Sequence, residues 1–372
     1  MALLGRGAGR LRLRDLPKLV SVHRDAARRA PLFQRPRLTY LFWESTLRCN
    51  LRCAHCGSGC EARSPLQELD TAQVKAILDT IADDFDARRI FVSITGGEPL
   101  LRHDLCEVVA HMTGLGMRTC IVTNGTLLGP EQAARLVDAG MRTVTVSIDG
   151  MEAEHEQVRG KGTWKKALAA LGNARRAGFR TVEAITCVRP ANLDSLRELE
   201  TAVREAGARL WRLITIDRMG RGGDDDNLWL RPPEVRRLLD FIETRRAELK
   251  RDGEKFDVRF SCGGFLGVER ELAVRPGDGQ CFAGLCVASI LADGQVGACP
   301  SLPRSWAQGS ALERRFSDIW KSEFELYRDT DWRKSGRCAD CSWFDLCKGG
   351  GLHERLVQPD EFCWLDRQDG AS

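Results

Sequence analysis

The sequence predicts an α/β protein: a partial (β/α)6 TIM-like barrel followed by a small cysteine-rich domain with a β-hairpin. Apolar strand-like runs alternate with helical patterns from about residue 37 to residue 250. Such alternation implies right-handed crossovers and a parallel sheet. Beyond residue 256 the helical periodicity fades, and cysteine, glycine and tryptophan become more frequent. The chain has 372 residues, which is enough for both parts.

Three segments are expected. Residues 1–36 form an N-terminal basic helix and linker, residues 37–255 the partial barrel, and residues 256–372 the cysteine-rich domain. Helical periodicity in the first segment covers about 16–29. Its basic residues could contact an acidic partner or a membrane surface, although most such runs are simply solvated. They are Arg6, Arg10, Arg12, Arg14, Lys18, Arg24, Arg28, Arg29 and Arg35.

The barrel strands are predicted from apolar runs, and the helices from apolar residues at helical spacing. The strands are expected at 38–44, 90–95, 117–123, 143–148, 181–188 and 210–216. The helices are expected at 71–85, 105–113, 130–139, 164–177 and 193–206, with a closing helix at 233–250. In the last third, Asp293-Gly294 between two short apolar runs indicates a hairpin. In barrels of this kind the chemistry lies at the C-terminal ends of the strands, so polar residues there are site candidates.

Composition narrows the class of protein. The net charge is +4, too small to argue for binding to nucleic acid. No apolar run approaches the roughly 18 residues that a membrane span needs, and no signal peptide is recognisable, so a cytoplasmic protein is expected. The chain has 15 cysteines, an odd number that complete disulfide pairing could not satisfy. In a reducing compartment metal binding explains them better than disulfides.

Three cysteines lie on one short loop after the first predicted strand. Cys49, Cys53 and Cys56 are spaced C-x3-C-x2-C. A loop this short can bind three corners of an iron–sulfur cube and leave the fourth iron without a protein ligand. A zinc site with Cys60 or His55 as the fourth ligand is an alternative, as are thiols that bind no metal. The spacing favours the cluster.

This loop resembles that of the radical S-adenosylmethionine (SAM) enzymes. The resemblance implies that the three cysteines hold a [4Fe-4S] cluster whose open iron binds the amino and carboxyl groups of SAM. One departure is His55, because the residue before the third cysteine is usually aromatic in that family. The resemblance also implies roles for residues at the ends of the later strands.

The second predicted strand ends in Gly96, Gly97 and Glu98, and Asn124 follows the third. Paired glycines let a backbone come close to a ligand. In the resembling enzymes a Gly-Gly-Glu motif at this position holds the amino group of the methionine moiety of SAM. Asn124 is a polar residue at a strand's C-terminal end, so it is expected to point at the same site.

Ser147 and Asp149 follow the fourth strand, and Arg159 lies in a segment whose pattern recurs in the family. By resemblance, the serine and the acid lie near the ribose of SAM. Alternatively, both only cap the next helix. A guanidinium fork suits a carboxylate, so Arg159 is expected at the carboxylate of SAM, with a surface ion pair as the alternative. Arg221, after the sixth strand, is expected to line a substrate cavity.

A second set of cysteines occupies the last third. One group contains Cys281, Cys286 and Cys299, and a second comprises Cys338, Cys341, Cys347 and Cys363. Together they resemble the SPASM domain of a radical SAM subfamily. The resemblance implies one or two auxiliary iron–sulfur clusters, with the first group as ligands of an inner cluster and the second as ligands of an outer cluster. A zinc ribbon is the alternative for the outer group.

The inner group departs from the SPASM pattern. The cysteine expected four residues after Cys347 is Gly351. The fourth ligand of the inner group therefore stays open between Cys262, His353, a substrate group and none. The remaining cysteines are expected to pack as small apolar residues. They are Cys60, Cys106, Cys120 and Cys187, of which Cys187 could also donate a hydrogen atom to a substrate radical.

The resemblance implies a function as well as a fold. Enzymes of this kind cleave SAM reductively to a 5′-deoxyadenosyl radical, which abstracts hydrogen from a substrate. A peptide or protein substrate is expected first, with a separate recognition protein or direct docking. A tetrapyrrole of the haem pathway is the alternative. A reducing partner such as ferredoxin or flavodoxin is also expected. A non-catalytic electron carrier is disfavoured, since the glycine and Ser-x-Asp motifs would then have no purpose.

Overall fold

The computed structural model describes residues 16–277, 279–357 and 363–369. The basic residues Arg6, Arg10, Arg12 and Arg14 of the predicted N-terminal segment lie outside them. The described residues contain a nine-stranded sheet with the strand order β7-β6-β5-β4-β3-β2-β1-β8-β9. Its strands are β1 Tyr40–Thr46, β2 Phe91–Gly96, β3 Arg118–Thr123, β4 Thr143–Ser147, β5 Thr181–Val188, β6 Leu210–Thr215, β7 Asp257–Phe260, β8 Val287–Ile290 and β9 Val296–Gly297.

Helices connect and flank these strands. They are α1 Leu16–Arg29, α2 Pro31–Gln34, α3 Thr71–Asp84, α4 Leu105–Gly114, α5 Pro130–Asp138, α6 Glu152–Arg159, α7 Thr163–Ala177, α8 Leu196–Glu205, α9 Pro232–Arg251, α10 Glu271–Val274, α11 Phe316–Ser322, α12 Glu325–Arg328, α13 Phe344–Cys347, α14 Leu352–Val357 and α15 Trp364–Asp369. No helix in the described part of the chain is long and apolar enough to cross a membrane.

The parallel order from β1 to β7 confirms the predicted α/β partial barrel. Each pair of neighbours from β1–β2 to β6–β7 is parallel. Local signals fix the helix starts. Asp70 caps α3 and forms a capping box with Gln73, and Pro130 begins α5. The helix expected at 193–206 starts later, at Leu196, because residues Pro190–Asn192 form a separate 3-10 turn.

Three strands, β7, β8 and β9, extend the sheet beyond the six predicted for the barrel. β7 follows α9 and pairs with β6. The predicted hairpin around Asp293-Gly294 is present, since β8 and β9 pair antiparallel. Its first strand also pairs parallel with β1, with Tyr40 opposite Val287. The cysteine-rich segment is therefore joined to the barrel through backbone hydrogen bonds, and the boundary expected at residue 255 falls inside one continuous sheet.

The main hydrophobic core lies between the sheet and its helices. Ile94, Ile121 and Val146 on adjacent strands are fully shielded from solvent, as are Met112 of α4 and Leu171 of α7. Burying side chains of this size supplies most of the stabilisation of such a layer. The core therefore fixes the C-terminal ends of the strands relative to one another.

Replacing Ile121 by alanine should lower the free energy of unfolding by about 2–5 kcal/mol, because the buried side chain leaves a cavity in a packed core. Chemical unfolding of the variant measures this. The control is Leu127→Ala, whose parent side chain is 39% exposed. It should change stability by less than about 0.5 kcal/mol. Equal losses in the two variants would contradict this description of the core.

Candidate active site

The three predicted cluster cysteines lie on the loop that leaves β1 at the C-terminal edge of the sheet. The loop is closed by its own backbone, since the Cys49 N–H donates to the Glu61 carbonyl at 2.6 Å and the Cys56 N–H to the Cys53 carbonyl at 3.3 Å. Burial raises the pKa of Cys49 and of Cys53. Cys60 is buried beside them and donates a hydrogen bond to the Cys56 sulfur, which lowers the pKa of Cys56.

The paired glycines let β2 approach this loop closely. A Cβ atom at Gly96 would lie 2.2 Å from the Thr46 carbonyl oxygen, and one at Gly97 would lie 2.1 Å from the Arg48 carbonyl oxygen. No side chain fits at such distances. The Gly97 N–H donates to the Thr46 carbonyl at 2.7 Å, and the Glu98 N–H to the Arg48 carbonyl at 2.8 Å. The close approach that the sequence predicted is thus made to the cysteine loop itself.

Glu98 links the end of β2 to the end of β3. Its carboxylate is fully buried and accepts hydrogen bonds from the Thr123 hydroxyl at 2.7 Å and from the Asn124 N–H at 2.8 Å. Burial raises the pKa of Glu98 despite these bonds. The Asn124 amide in turn donates to the Asn50 side chain at 2.9 Å. The β3 end therefore holds the cysteine loop through Asn50, between the first and second thiols.

Asp149 brings the loop, α6 and β5 together. Its carboxylate, 1% exposed, accepts from His55 Nε2 at 3.0 Å, from Arg159 Nε and from the Cys187 N–H at 2.8 Å. Burial alone would raise the pKa of Asp149, but Arg159 and His55 outweigh it and hold this pKa well below its usual range. The Asp149 N–H donates to His155 Nδ1 at 3.0 Å. Asp149 is thus a buried anion held by partners from three segments.

Arg159 stands between this carboxylate and the second thiol. It is the last residue of α6, and its Nη1 lies 3.8 Å from the Cys53 sulfur. A half-buried guanidinium at this place puts positive charge beside the Cys53 sulfur. Ser147 ends β4, two residues before Asp149, and it is also buried. The predicted SAM-binding residues thus follow β2, β3 and β4 in order around the cysteine loop.

The sequence did not predict two contacts of the cysteine loop. His55 departs from the family pattern and was a possible zinc ligand by type, but in the structure it pairs with Asp149. Arg221, expected to line a substrate cavity, instead holds the cysteine loop: its Nε donates to the Cys53 carbonyl at 2.9 Å and its Nη2 to the Cys60 carbonyl at 3.0 Å. The glycine before it allows this, because a Cβ at Gly220 would lie 2.4 Å from the Gly57 carbonyl oxygen. Gly220 is the feature of the sequence that could have indicated this contact.

The outer group of cysteines shares one cavity. The thiols of Cys338, Cys341, Cys347 and Cys363 line a space of about 630 Å³ together with aromatic side chains. Burial raises the pKa of Cys347 to about 12. Four sulfur atoms around one space fit a group that takes four thiolate ligands, as an iron–sulfur cube or zinc does.

The inner group brackets the hairpin, since Cys281 and Cys286 precede β8 and Cys299 follows β9. Burial, with contributions from the nearby Cys281 and Cys262 thiols, raises the pKa of Cys299 to about 11. The carbonyl of Cys286 accepts from the Tyr40 N–H at 3.0 Å, which places its backbone at the entry of β8 beside β1. The Cys281 and Cys262 thiols are thus near enough to Cys299 to influence its charge.

A parallel α/β partial barrel with a three-thiol loop at the C-terminal edge of its sheet fits an iron–sulfur enzyme. The profile described as "Radical SAM superfamily" matches residues 43–203, and the SPASM profile, described as "Iron-sulfur cluster-binding domain", matches residues 281–342. The mycofactocin maturase MftC of Mycolicibacterium smegmatis is 35% identical over 335 residues, 87% of this chain and 82% of that protein. The chain therefore belongs to the radical SAM superfamily and carries a SPASM domain.

Two further comparisons are consistent with this family assignment. The AdoMet-dependent heme synthase of Methanosarcina barkeri is 30% identical over 332 residues, 84% of this chain and 90% of that protein. A solved structure of anSMEcpe with bound AdoMet and Cp18Cys peptide has a TM-score of 0.70 at 19% identity, over 90% of this chain and 94% of that one. At that identity it supports the fold alone. As a member of this family, the chain is an enzyme that uses SAM, a [4Fe-4S] cluster and auxiliary iron–sulfur clusters.

Replacing Gly97 by alanine should prevent the cysteine loop from holding its cluster, because the new Cβ would meet the Arg48 carbonyl at 2.1 Å. After anaerobic reconstitution the variant should lack about four irons per chain. The matched control is Gly57→Ala on the same loop, whose Cβ would lie 3.7 Å from Met219 Cβ, an ordinary contact. It should bind iron fully. A normal iron content in Gly97→Ala would show that the close approach is not required.

His155 should make stability depend on pH. Burial lowers its pKa from 6.5 to about 4. Below pH 6.5 the unfolded chain therefore binds a proton that the folded chain excludes, so stability is full above that pH and declines as the pH falls towards 4. The loss should reach about 2–3 kcal/mol.

The replacement His155→Gln, which keeps an acceptor for the Asp149 N–H, should remove this decline. Chemical unfolding of the reconstituted protein at pH 7.5 and at pH 5 measures the difference between the two proteins. The same slope in both would mean that His155 is not the titrating group.

Proposed function

We propose that this enzyme modifies a peptide or protein by radical chemistry, with Cys49, Cys53 and Cys56 as the ligands of the cluster that binds SAM. The observation that carries the proposal is the three-thiol loop, which is held in place by residues after β2, β3, β4 and β6. The 35% identity to a maturase over 87% of the chain supports a role in maturation. Cytoplasmic placement suits the many free thiols.

The residues at the strand ends would bind the cosubstrate. Gly96, Gly97 and Glu98 would meet the amino group of SAM, with Asn124 beside them. Glu98 suits this role because it is a fully buried carboxylate with its hydrogen bonds already arranged. A preorganised anion of this kind binds an ammonium group with little reorganisation.

Ser147, Asp149 and Arg159 would complete the SAM site on the β4 side. Arg159 carries the charge that suits the carboxylate of SAM, and Asp149 fixes the guanidinium where it lies. When bound, the cluster and SAM supply one-electron chemistry that yields a 5′-deoxyadenosyl radical, and this radical abstracts hydrogen from the substrate. The protein orients the reactants and excludes water, which the burial of Glu98 and Asp149 favours.

The two cysteine groups of the last third would hold auxiliary clusters. Cys281, Cys286 and Cys299 are the proposed inner ligands. The proposed outer ligands are Cys338, Cys341, Cys347 and Cys363, which line one cavity. Electrons would come from a ferredoxin or flavodoxin. A separate recognition protein would present the peptide.

A tetrapyrrole of the haem pathway is the second candidate substrate. It rests on the 30% identity to the AdoMet-dependent heme synthase over 84% of the chain. Both candidates share the same cofactor site, so the substrate test must be separate from the test of SAM cleavage.

Anaerobically reconstituted protein with dithionite should release 5′-deoxyadenosine from SAM, and Cys53→Ala should abolish this release. The reason is that a cluster with two thiolates on this loop would not be retained in an active form. Chromatography of the nucleoside product measures it. The control is Cys106→Ala, which changes a thiol on α4 away from the loop. Zinc in place of iron, without cleavage of SAM in the wild type, would refute the proposal.

The substrate is identified by supplying candidates to the active enzyme. A synthetic precursor peptide encoded beside the gene should change in mass when SAM and reductant are present. An iron porphyrin carrying propionate side chains should stay unchanged. Loss of carboxyl groups from the porphyrin, with no change in the peptide, would establish the second candidate instead.

A further inference from the structure

The inner cysteine group lacks the ligand that the family pattern supplies. Gly351 occupies that position, and the structure leaves little room there for a side chain. A Cβ at Gly351 would lie 2.7 Å from Glu354 Oε2 and 3.1 Å from His353 Cε1. Both distances are shorter than the contacts that Cβ atoms usually make in proteins. The missing ligand must therefore come from another segment, or the site stays open.

The loop that follows β7 packs directly on the turn that contains Gly351. A Cβ at Gly264 would lie 3.0 Å from Gly350 Cα, and one at Gly263 would lie 2.8 Å from the Trp364 ring. The two glycines permit this close contact between the segments. Cys262 immediately precedes them, so it lies beside the position from which the family's cysteine is absent.

Cys262 does not behave as a packing residue. Its backbone has a φ of +67°, in the left-handed region that residues with a side chain rarely adopt. Strained backbone of this kind is most often kept at functional sites. The residue is exposed, whereas Cys60 and Cys120 are buried. An exposed cysteine with a left-handed backbone needs an explanation other than packing in the core.

The Cys262 thiol lies beside the turn from which the family's cysteine is absent. Its Sγ is 3.7 Å from Nε2 of His353, the residue two positions after Gly351. The ring of His353 also lies against Gly351, since a Cβ at Gly351 would be 3.1 Å from His353 Cε1. Cys262 and Gly351 therefore flank the same histidine, so a thiolate at Cys262 is placed close to where a side chain at residue 351 would reach.

We propose that Cys262 supplies the fourth thiolate ligand of the inner auxiliary cluster, in place of the cysteine that Gly351 replaces. The inference rests on the proposed function, in which Cys281, Cys286 and Cys299 supply the other three. The site is then closed by protein, and no iron in it is left to bind substrate. Its role becomes the transfer of electrons.

His353 is the competing ligand, and its geometry argues for a different role. Its Nε2 lies 3.2 Å from Asp217 Oδ2 as well as 3.7 Å from the Cys262 sulfur. A nitrogen that donates its proton to a carboxylate has no lone pair free for iron. His353 is therefore a positioning residue, which is held by Asp217 and lies against the Cys262 sulfur. Neighbours of this kind tune a cluster without binding it.

The test uses a full-length parent with Cys49→Ala, Cys53→Ala and Cys56→Ala, in which iron can bind only the auxiliary sites. Adding Cys262→Gly removes the thiol and suits the left-handed backbone, so misfolding should not confuse the result. The matched control adds Cys106→Ala, and a third variant adds His353→Gln. Iron per chain and the electron paramagnetic resonance of oxidised and reduced samples are measured after anaerobic reconstitution.

The parent and the Cys106→Ala variant should hold about eight irons. Cys262→Gly should lose at least one iron and show the signal of a three-iron cluster when oxidised, while His353→Gln should keep its iron. Unchanged iron and spectra in Cys262→Gly would overturn the inference, and loss in His353→Gln alone would make histidine the ligand. These outcomes leave the proposed function standing if the wild type cleaves SAM. A wild type without any cluster would overturn both.

Discussion

A carboxylate that is shut off from water needs charged or hydrogen-bonding partners, and Asp149 obtains them from segments far apart in the chain. His55 comes from the cysteine loop, Arg159 from the end of α6, and the Cys187 N–H from β5. Removing one charged partner from such a buried group typically costs several kcal/mol, since the remaining charge is left uncompensated. The position of the cysteine loop is therefore set by an anion at the end of β4. Folding itself brings the three thiols to the barrel mouth.

The backbone secures the same loop from two other sides. Gly97 binds the first part of it to β2, and Arg221 binds carbonyl groups further along from the loop after β6. Both contacts depend on glycines that leave room for a neighbouring peptide group, at Gly97 and at Gly220. Ligands that are held in place before a metal arrives lose less freedom when they bind it. These glycines thus help to position the thiols, in addition to any contact that they make with a ligand.

The sequence predicted the features that depend on local patterns. The strand Thr181–Val188 has the expected bounds, because its apolar run is bordered by clear turn residues. It did not predict β7, which is only four residues long, or the pairing of β8 with β1, which joins residues about 250 positions apart. Spacing likewise revealed the cysteine groups but not the partner of His55 or the place of Cys262. Those depend on which loops meet in space, and no local pattern encodes that.

The pairing of β8 with β1 also determines how the two parts of the site can work together. β1 leads directly into the cysteine loop, and β8 follows directly after Cys286, so one hydrogen-bonded ladder positions both groups of thiols. A second link crosses the mouth, where Asp217 of the loop after β6 pairs with His353. A hinge between the parts would have to break both. The inner cysteine group is therefore held at a fixed place relative to the cysteine loop by two separate contacts.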